Sequence, residues 1–548
     1  MEDRGGGYSR HRAGAPKRVR IVVVGLLALT VLGIAALVLV TFNPWAATAE
    51  ERLALFTAAW QRGDDKAAAR MTDAPDAALG VLEASRRGLD GAKLRARAGK
   101  VDERGDRATG TAELTWAVPA IGPWQYDTQV ALERRDDTWL IRWTPEIVHP
   151  RLTAETRLGT SVTPPVRGAI HDRAGRPLMQ DRDVVDVAVK TDEVNDAKRT
   201  AARLAELVGV DAAPLERSIS RAPKGRFVAV ITLRQGEYGR REKRLRAIAG
   251  TSFDHRRAPL APTKGFGRAL LGVVGPATAE QIQKSEGRVK PGDQIGQWGL
   301  QGRFDAQLRG RPTREIVRRS MASGEVVGSL LERRGRDGRT LRTTLDRRVQ
   351  TAAESALGAR AGKAALVAVQ PSTGDILAVA NRPTGEAFDR GLEGLYPPGS
   401  TFKVVSTAAL LRDGLSVDEV VDCPATREVG GRRFRNFEGG AAGEVPFRID
   451  FAQSCNTAFV GLSRRLDSGA LTQVARDFGL GEAPKLPLRA ATSKVPEAGD
   501  AVAQAASMIG QAEIVASPLA MAGVAATVAD GRWRAPRLVR SDPRRAGE

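Results

Sequence analysis

Among 548 residues the chain has two cysteines, Cys423 and Cys455, too few for a disulfide scaffold or a cysteine-based metal cluster. It has four histidines, His11, His149, His171 and His255, spaced far apart and set in no metal or triad motif. Their scarcity counts against a metal centre and against a Ser-His-Asp hydrolase. Acid is also in short supply, with 64 Asp and Glu against 84 Lys and Arg and a formal net charge of +20. Yet the arginines are scattered among acids rather than gathered into one stripe, the pattern of a solvated basic surface and not of a nucleic-acid interface.

What the chain does have begins with a polar, basic stretch at residues 1–20, followed by the apolar run Ile21–Val40. About 20 residues of helix rise about 30 Å, the thickness of a bilayer core. The basic flank comes first, so residues 1–20 are expected in the cytoplasm, 21–42 in the membrane and the rest outside. Ala47-Thr48-Ala49 resembles a signal-peptidase site, a competing reading that the length of the apolar run disfavours. On the outer side, a basic surface would face anionic envelope polymers.

Residues 50–148 read as a small α+β domain. Leu53, Phe56, Ala59 and Trp60 share one helical face, and Thr111–Val118, Tyr126–Arg135 and Trp139–Trp143 alternate as strands. Trp116, Trp124, Tyr126, Trp139 and Trp143 are expected in its core, with a ligand pocket as the alternative. Pro164-Pro165 marks a linker. Residues 160–335 then mix helices such as Ala197–Leu207 with strands such as Phe227–Leu233 and hold no recognisable catalytic group, while the basic tract 309–348 reads as a charged hairpin. From Leu345 to residue 548 the chain is more apolar, opening with a helix at Val349–Leu357 and a hairpin of Ala364–Gln370 with Asp375–Ala380.

The segment Tyr396–Leu411, YPPGSTFKVVSTAALL, organises this last region. Pro397-Pro398-Gly399 cannot lie inside a helix, whereas Val404, Ala408 and Leu411 recur at helical spacing, so a helix is predicted to begin at Ser400. Ser400 and Lys403 then share one face of its first turn, with unpaired backbone N–H groups beside them. A serine hydroxyl needs a base, and a lysine serves only when burial or nearby positive charge keeps it neutral. Downstream, Ser454-Cys455-Asn456 precedes another helix, for which Ser454 and Asn456 also qualify as caps. Cys455 and Cys423 are a candidate pair in an oxidising compartment.

Ser400-Thr401-Phe402-Lys403, Ser454-Cys455-Asn456 and Gly510-Gln511 before Ser517-Pro518-Leu519 together resemble the transpeptidase domain of penicillin-binding proteins. Arg167-Gly168, Ile170, Asp172-Arg173 and Gly175, with Leu308-Arg309-Gly310, are similar to the dimerisation, or pedestal, domain of class B members. Residues 50–148 resemble the NTF2-like domain that precedes it. The resemblance implies a multidomain α+β protein: a single transmembrane helix, an NTF2-like domain, a pedestal at 160–335, and a β-lactamase-like serine acyltransferase α/β domain at 345–548. It implies no cofactor or metal. Its implied partners are peptidoglycan stem peptides, β-lactams, membrane lipid through 21–42, and cell-division or elongation machinery, with no nucleic acid. By the same resemblance Ser400 attacks the carbonyl between two terminal D-alanines, Lys403 takes its proton, Ser454 relays a proton to the leaving amine, and Asn456 binds the substrate amide and orients Lys403. The backbone N–H of Ser400 supplies one oxyanion donor.

One motif of that family, Lys-Thr/Ser-Gly, does not occur in these 548 residues. It would lie on a strand beside Ser400 and give the second oxyanion donor, whose loss costs about a hundredfold or more in rate. The domain is therefore expected to lack its C-terminal strands, as a truncated or a degenerate member. An envelope scaffold or β-lactam sensor without catalysis is the alternative function, and a carboxypeptidase using water as acceptor is the nearest enzymatic one.

Overall fold

The computed structural model describes residues 48–540. The expected tail at 1–20 and the anchor at 21–42 lie outside them. Among the described residues no helix is long and apolar enough to cross a membrane. The chain divides into two compact units. One holds the residues up to Thr163 with Pro312–Gly335, the other Pro164–Arg311 with the residues from Arg336 onward.

In the first unit, Thr48 caps the helix Ala49–Arg62 by accepting from the Glu51 N–H, and Gly63 ends it at φ 84°. Leu53, Phe56 and Trp60 recur at i, i+3 and i+7 and are wholly buried on its inner face. They pack on an antiparallel sheet ordered Lys93–Arg104, Arg107–Val118, Gly122–Arg135 and Thr138–Ile141. Trp116, Trp124, Tyr126 and Trp139 belong to or pack against this core, as their spacing predicts, with Trp143 partly buried at its margin. The Trp116 indole donates to the Tyr126 hydroxyl at 3.0 Å, which donates to the Val148 carbonyl at 2.7 Å, so both polar tips are satisfied. The tract beyond Pro312 does form a hairpin, Thr313–Ser320 with Val326–Arg333, and its inner strand pairs along its length with Thr156–Thr163.

In the second unit the long strand Pro177–Lys190 pairs with Phe227–Arg234 on one side and Thr251–Leu260 on the other. The arginine-glycine segment before it is tied down by charge. Arg167 donates to Asp305 at 2.8 Å and to Gln301 at 2.9 Å, while the buried Asp172 accepts from the backbone of Ala174 and Arg176. The catalytic-type region opens with the helix Arg347–Gly358, whose Gln350 carboxamide both donates to and accepts from the Val379 backbone, at 2.9 Å each way. This clamps the helix to the hairpin Ala364–Gln370 and Asp375–Arg382. A second apolar core, with Phe402, Val405, Leu410, Phe459, Met508 and Ile514, surrounds the helix that follows Ser400.

Candidate active site

The structure corrects the helix start. Gly399–Phe402 is a 3-10 turn, and the α-helix runs Lys403–Arg412. The reason lies at Gly399, whose φ of 56° breaks the incoming chain and whose N–H donates to the Gly510 carbonyl at 3.1 Å. In a 3-10 turn residues i and i+3 eclipse, so the change of helix type keeps Ser400 and Lys403 together. The Lys403 Nζ lies 3.4 Å from the Ser400 Oγ.

Ser400 is exposed, whereas Lys403 is 2 % exposed. The lysine amine donates to the Ser454 carbonyl at 2.7 Å, the Ser454 Oγ at 3.0 Å and the Asn456 Oδ1 at 2.7 Å. It also lies 5.3 Å from the centre of the Phe459 ring. No carboxylate bonds to it among the described residues, and burial lowers its pKa to about 8. The site thus holds an amine whose neutral form is accessible near physiological pH, against a hydroxyl open to solvent.

Ser454 and Asn456 reach Lys403 because the loop before their helix is held from several directions. Ser454 sits at φ 56°, a left-handed conformation that turns its carbonyl and hydroxyl toward the amine. The helix cap is neither Ser454 nor Asn456 but Cys455, whose sulfur accepts from the Ala458 N–H at 3.3 Å. Cys455 is bonded to Cys423, with Cα atoms 6.3 Å apart. The buried Asn436 accepts from the Thr457 N–H at 3.0 Å and donates to the Gly440 carbonyl at 2.8 Å, tying the loop to the neighbouring hairpin. Asn456 donates to the Arg435 carbonyl at 3.1 Å, which leaves its second N–H for another acceptor.

All four residues singled out from the sequence therefore meet at one point. Gly510-Gln511 belongs behind it, since a Cβ on Gly510 would stand 2.1 Å from the Gly399 carbonyl oxygen. Sequence reasoning gave Phe459 no role, although its position three after Asn456 places it on the same helical face. Nor did it single out Asp450, an acid between Ile449 and Phe451. Asp450 is wholly buried, neither carboxylate oxygen has a hydrogen-bond partner, and burial together with nearby Asp422 raises its pKa to about 6. Cys423, Asp450 and Cys455 cluster closely enough to suggest a metal set, but both sulfurs are committed to each other.

Residues 364–547 match the penicillin binding protein transpeptidase domain, 162–343 the penicillin-binding protein dimerisation domain, and 48–156 the NTF2-like N-terminal transpeptidase domain. The peptidoglycan D,D-transpeptidase PbpA of Mycobacterium tuberculosis is 36 % identical over 234 residues, 36 % of this chain and 48 % of that protein. PbpA of Mycolicibacterium smegmatis is 33 % identical over 279 residues, 44 % of this chain and 55 % of its own length. The chain thus spans about half the length of these curated relatives. The transpeptidase MrdA of Acinetobacter baumannii is 24 % identical over 435 residues, 71 % of this chain and 64 % of that protein. Among solved structures, a complex between penicillin-binding protein PBP2 and MreC from Helicobacter pylori aligns with a TM-score of 0.53 at 17 % identity, over 70 % of this chain and 79 % of that one, a likeness of fold.

Proposed function

Because the chain belongs to the penicillin-binding proteins that join an NTF2-like, a dimerisation and a transpeptidase domain, we propose that it is a serine D,D-transpeptidase acting on peptidoglycan stem peptides. The observation that carries this reading is the contact of the buried Lys403 amine with Ser400, Ser454 and Asn456 together.

In the proposed reaction neutral Lys403 takes the Ser400 proton as Oγ attacks the carbonyl between the two terminal D-alanines. The C–N bond breaks, and the terminal D-alanine leaves as an amine with a proton passed through Ser454, leaving an acyl ester on Ser400. The amine of a second stem peptide then attacks the ester, its proton returns to the serine oxygen through Lys403, and an amide cross-link forms. The free N–H of Asn456 binds the donor peptide's carbonyl. β-Lactams mimic the D-alanyl-D-alanine end and acylate the same oxygen. We place the protein at the cell membrane, anchored through residues 21–42 with its bulk outside, where elongation or division machinery is its partner. Domain limits of 50–148, 160–335 and 345–548 belong to the same proposal.

The rival reading is an envelope scaffold or β-lactam sensor that does not turn over. Membranes carrying the chain, treated with a fluorescent penicillin and resolved by gel and peptide mass spectrometry, decide the first step. Label on the Ser400 peptide, lost in Ser400→Ala, is the expected outcome. Equal labelling of Ser400→Ala would remove Ser400 as the nucleophile, and labelling without cross-linked product would favour the sensor.

A further inference from the structure

The first unit contains a cavity of about 490 Å³ lined by Ala84, Arg87, Gly88, Arg157, Arg319 and Met321. Three of the six lining residues are arginines and none is acidic. Two of those arginines are set against each other by the fold itself. Arg157 and Arg319 are directly opposed in the antiparallel pairing of Thr156–Thr163 with Thr313–Ser320, so their side chains leave the sheet on the same face. Like charges in that relation destabilise a sheet unless something of opposite sign lies between them.

Among the described residues neither Arg157 nor Arg319 forms an ion pair, and the third arginine, Arg87, already has Glu83 at 3.4 Å. Arg319 is instead fixed by its backbone neighbours, donating to the Thr160 carbonyl at 2.7 Å and the Gly324 carbonyl at 2.8 Å, while its stem lies where a Cβ on Gly159 would stand. Arg157 has one long bond, 3.4 Å, to the Leu158 carbonyl, and its guanidinium fills the space beside Gly88. Both are half-buried. Two held guanidinium groups with donors to spare and no counter-ion form a receptor for a compact anion of high charge. The forked donors match phosphate oxygens: inorganic phosphate, close to doubly negative at neutral pH, offsets both cations, and a phosphodiester, singly negative, offers its two free oxygens to both while offsetting one.

We propose that this cavity binds a phosphate group between Arg157 and Arg319. The site is separate from Ser400 and does not depend on the acyltransferase reading. The group belongs either to a soluble phosphodiester or to a lipid headgroup.

Isothermal titration of the full chain in detergent with inorganic phosphate, against sodium chloride of matched ionic strength, tests it. One phosphate per chain is expected, with binding weakened about tenfold or more in R157Q and in R319Q, and less in the charge-keeping R157K. R157Q, relieved of the opposed charge, should melt no lower than the wild type in phosphate-free buffer. Competition by soluble bis-glycerol phosphate assigns the site to a soluble phosphodiester, and competition by short-chain phosphatidylglycerol alone assigns it to a headgroup. Heat no greater than in the chloride control, or R157Q and R319Q that both bind phosphate as tightly as the wild type, overturns the proposal.

Discussion

At Lys403 a single burial decides the chemistry. With its pKa lowered to about 8, about a tenth of the amine is neutral at pH 7 and most of it at pH 9. The rate of penicillin acylation should therefore climb with pH through about 8 and level off above it, and Lys403→Met should abolish the labelled band while leaving the far-ultraviolet spectrum intact. Asp450 shows the opposite sign. Its folded pKa stands above its unfolded value, so the folded state keeps a proton that the unfolded chain gives up, and stability is lost as pH rises from about 4 through 6. Asp450→Ala removes the unpartnered carboxylate and should stabilise the protein at pH 7 by roughly 1–3 kcal/mol, with a smaller gain at pH 5, measured by thermal melting at both values. Ser400 and Lys403 stood out in the sequence from a helix-start pattern, and Ser454 and Asn456 from the family resemblance of their tripeptide; the structure brings the four side chains together. The burial of Asp450 was not, since an acid between two apolar residues gives no sign of which way it faces.

Among the elements, the best-read ones have strong apolar rhythm, such as Ala49–Arg62 and Ala364–Gln370. Several in the first unit escaped notice, among them Lys93–Arg104 and Pro75–Gly88. Lys93–Arg104 buries only Leu94 and Ala96 fully, so its alternation is of alanine with arginine, and the helix Pro75–Gly88 opens on a proline and is rich in alanine and glycine. The 3-10 turn at Ser400 was illegible for another reason. It depends on Gly399 being held by Gly510, a contact between residues far apart in sequence. Gly510 has φ 67°, and any side chain there would press on the Gly399 carbonyl and on Phe402. Gly510→Ala should thus cost about 2 kcal/mol or more and, on the function proposed above, reduce acylation beyond what lost stability explains, because the turn that carries Ser400 must shift. Labelling at a temperature where the variant is fully folded separates the two effects.

For the whole molecule, the chain leaves its second unit at Arg311, builds a three-stranded sheet with Thr156–Thr163 in the first, and returns at Arg336. Arg311 and Arg336 exchange backbone bonds of 2.7 and 2.8 Å, so the ends of this excursion are adjacent. A fragment starting at Pro164 keeps the strand Thr313–Ser320 without its partner Thr156–Thr163 and should aggregate through that bare edge. Replacing 312–335 by a short glycine turn should restore a monomer, as read by light scattering. The bond between Cys423 and Cys455 bears on timing. It clasps the middle residue of the segment that offers Ser454 and Asn456 to the lysine. A nascent chain still among cytosolic thiols has every reactive group but no clasp, so on the reading proposed above the last step of maturation coincides with arrival in the compartment where the wall is built.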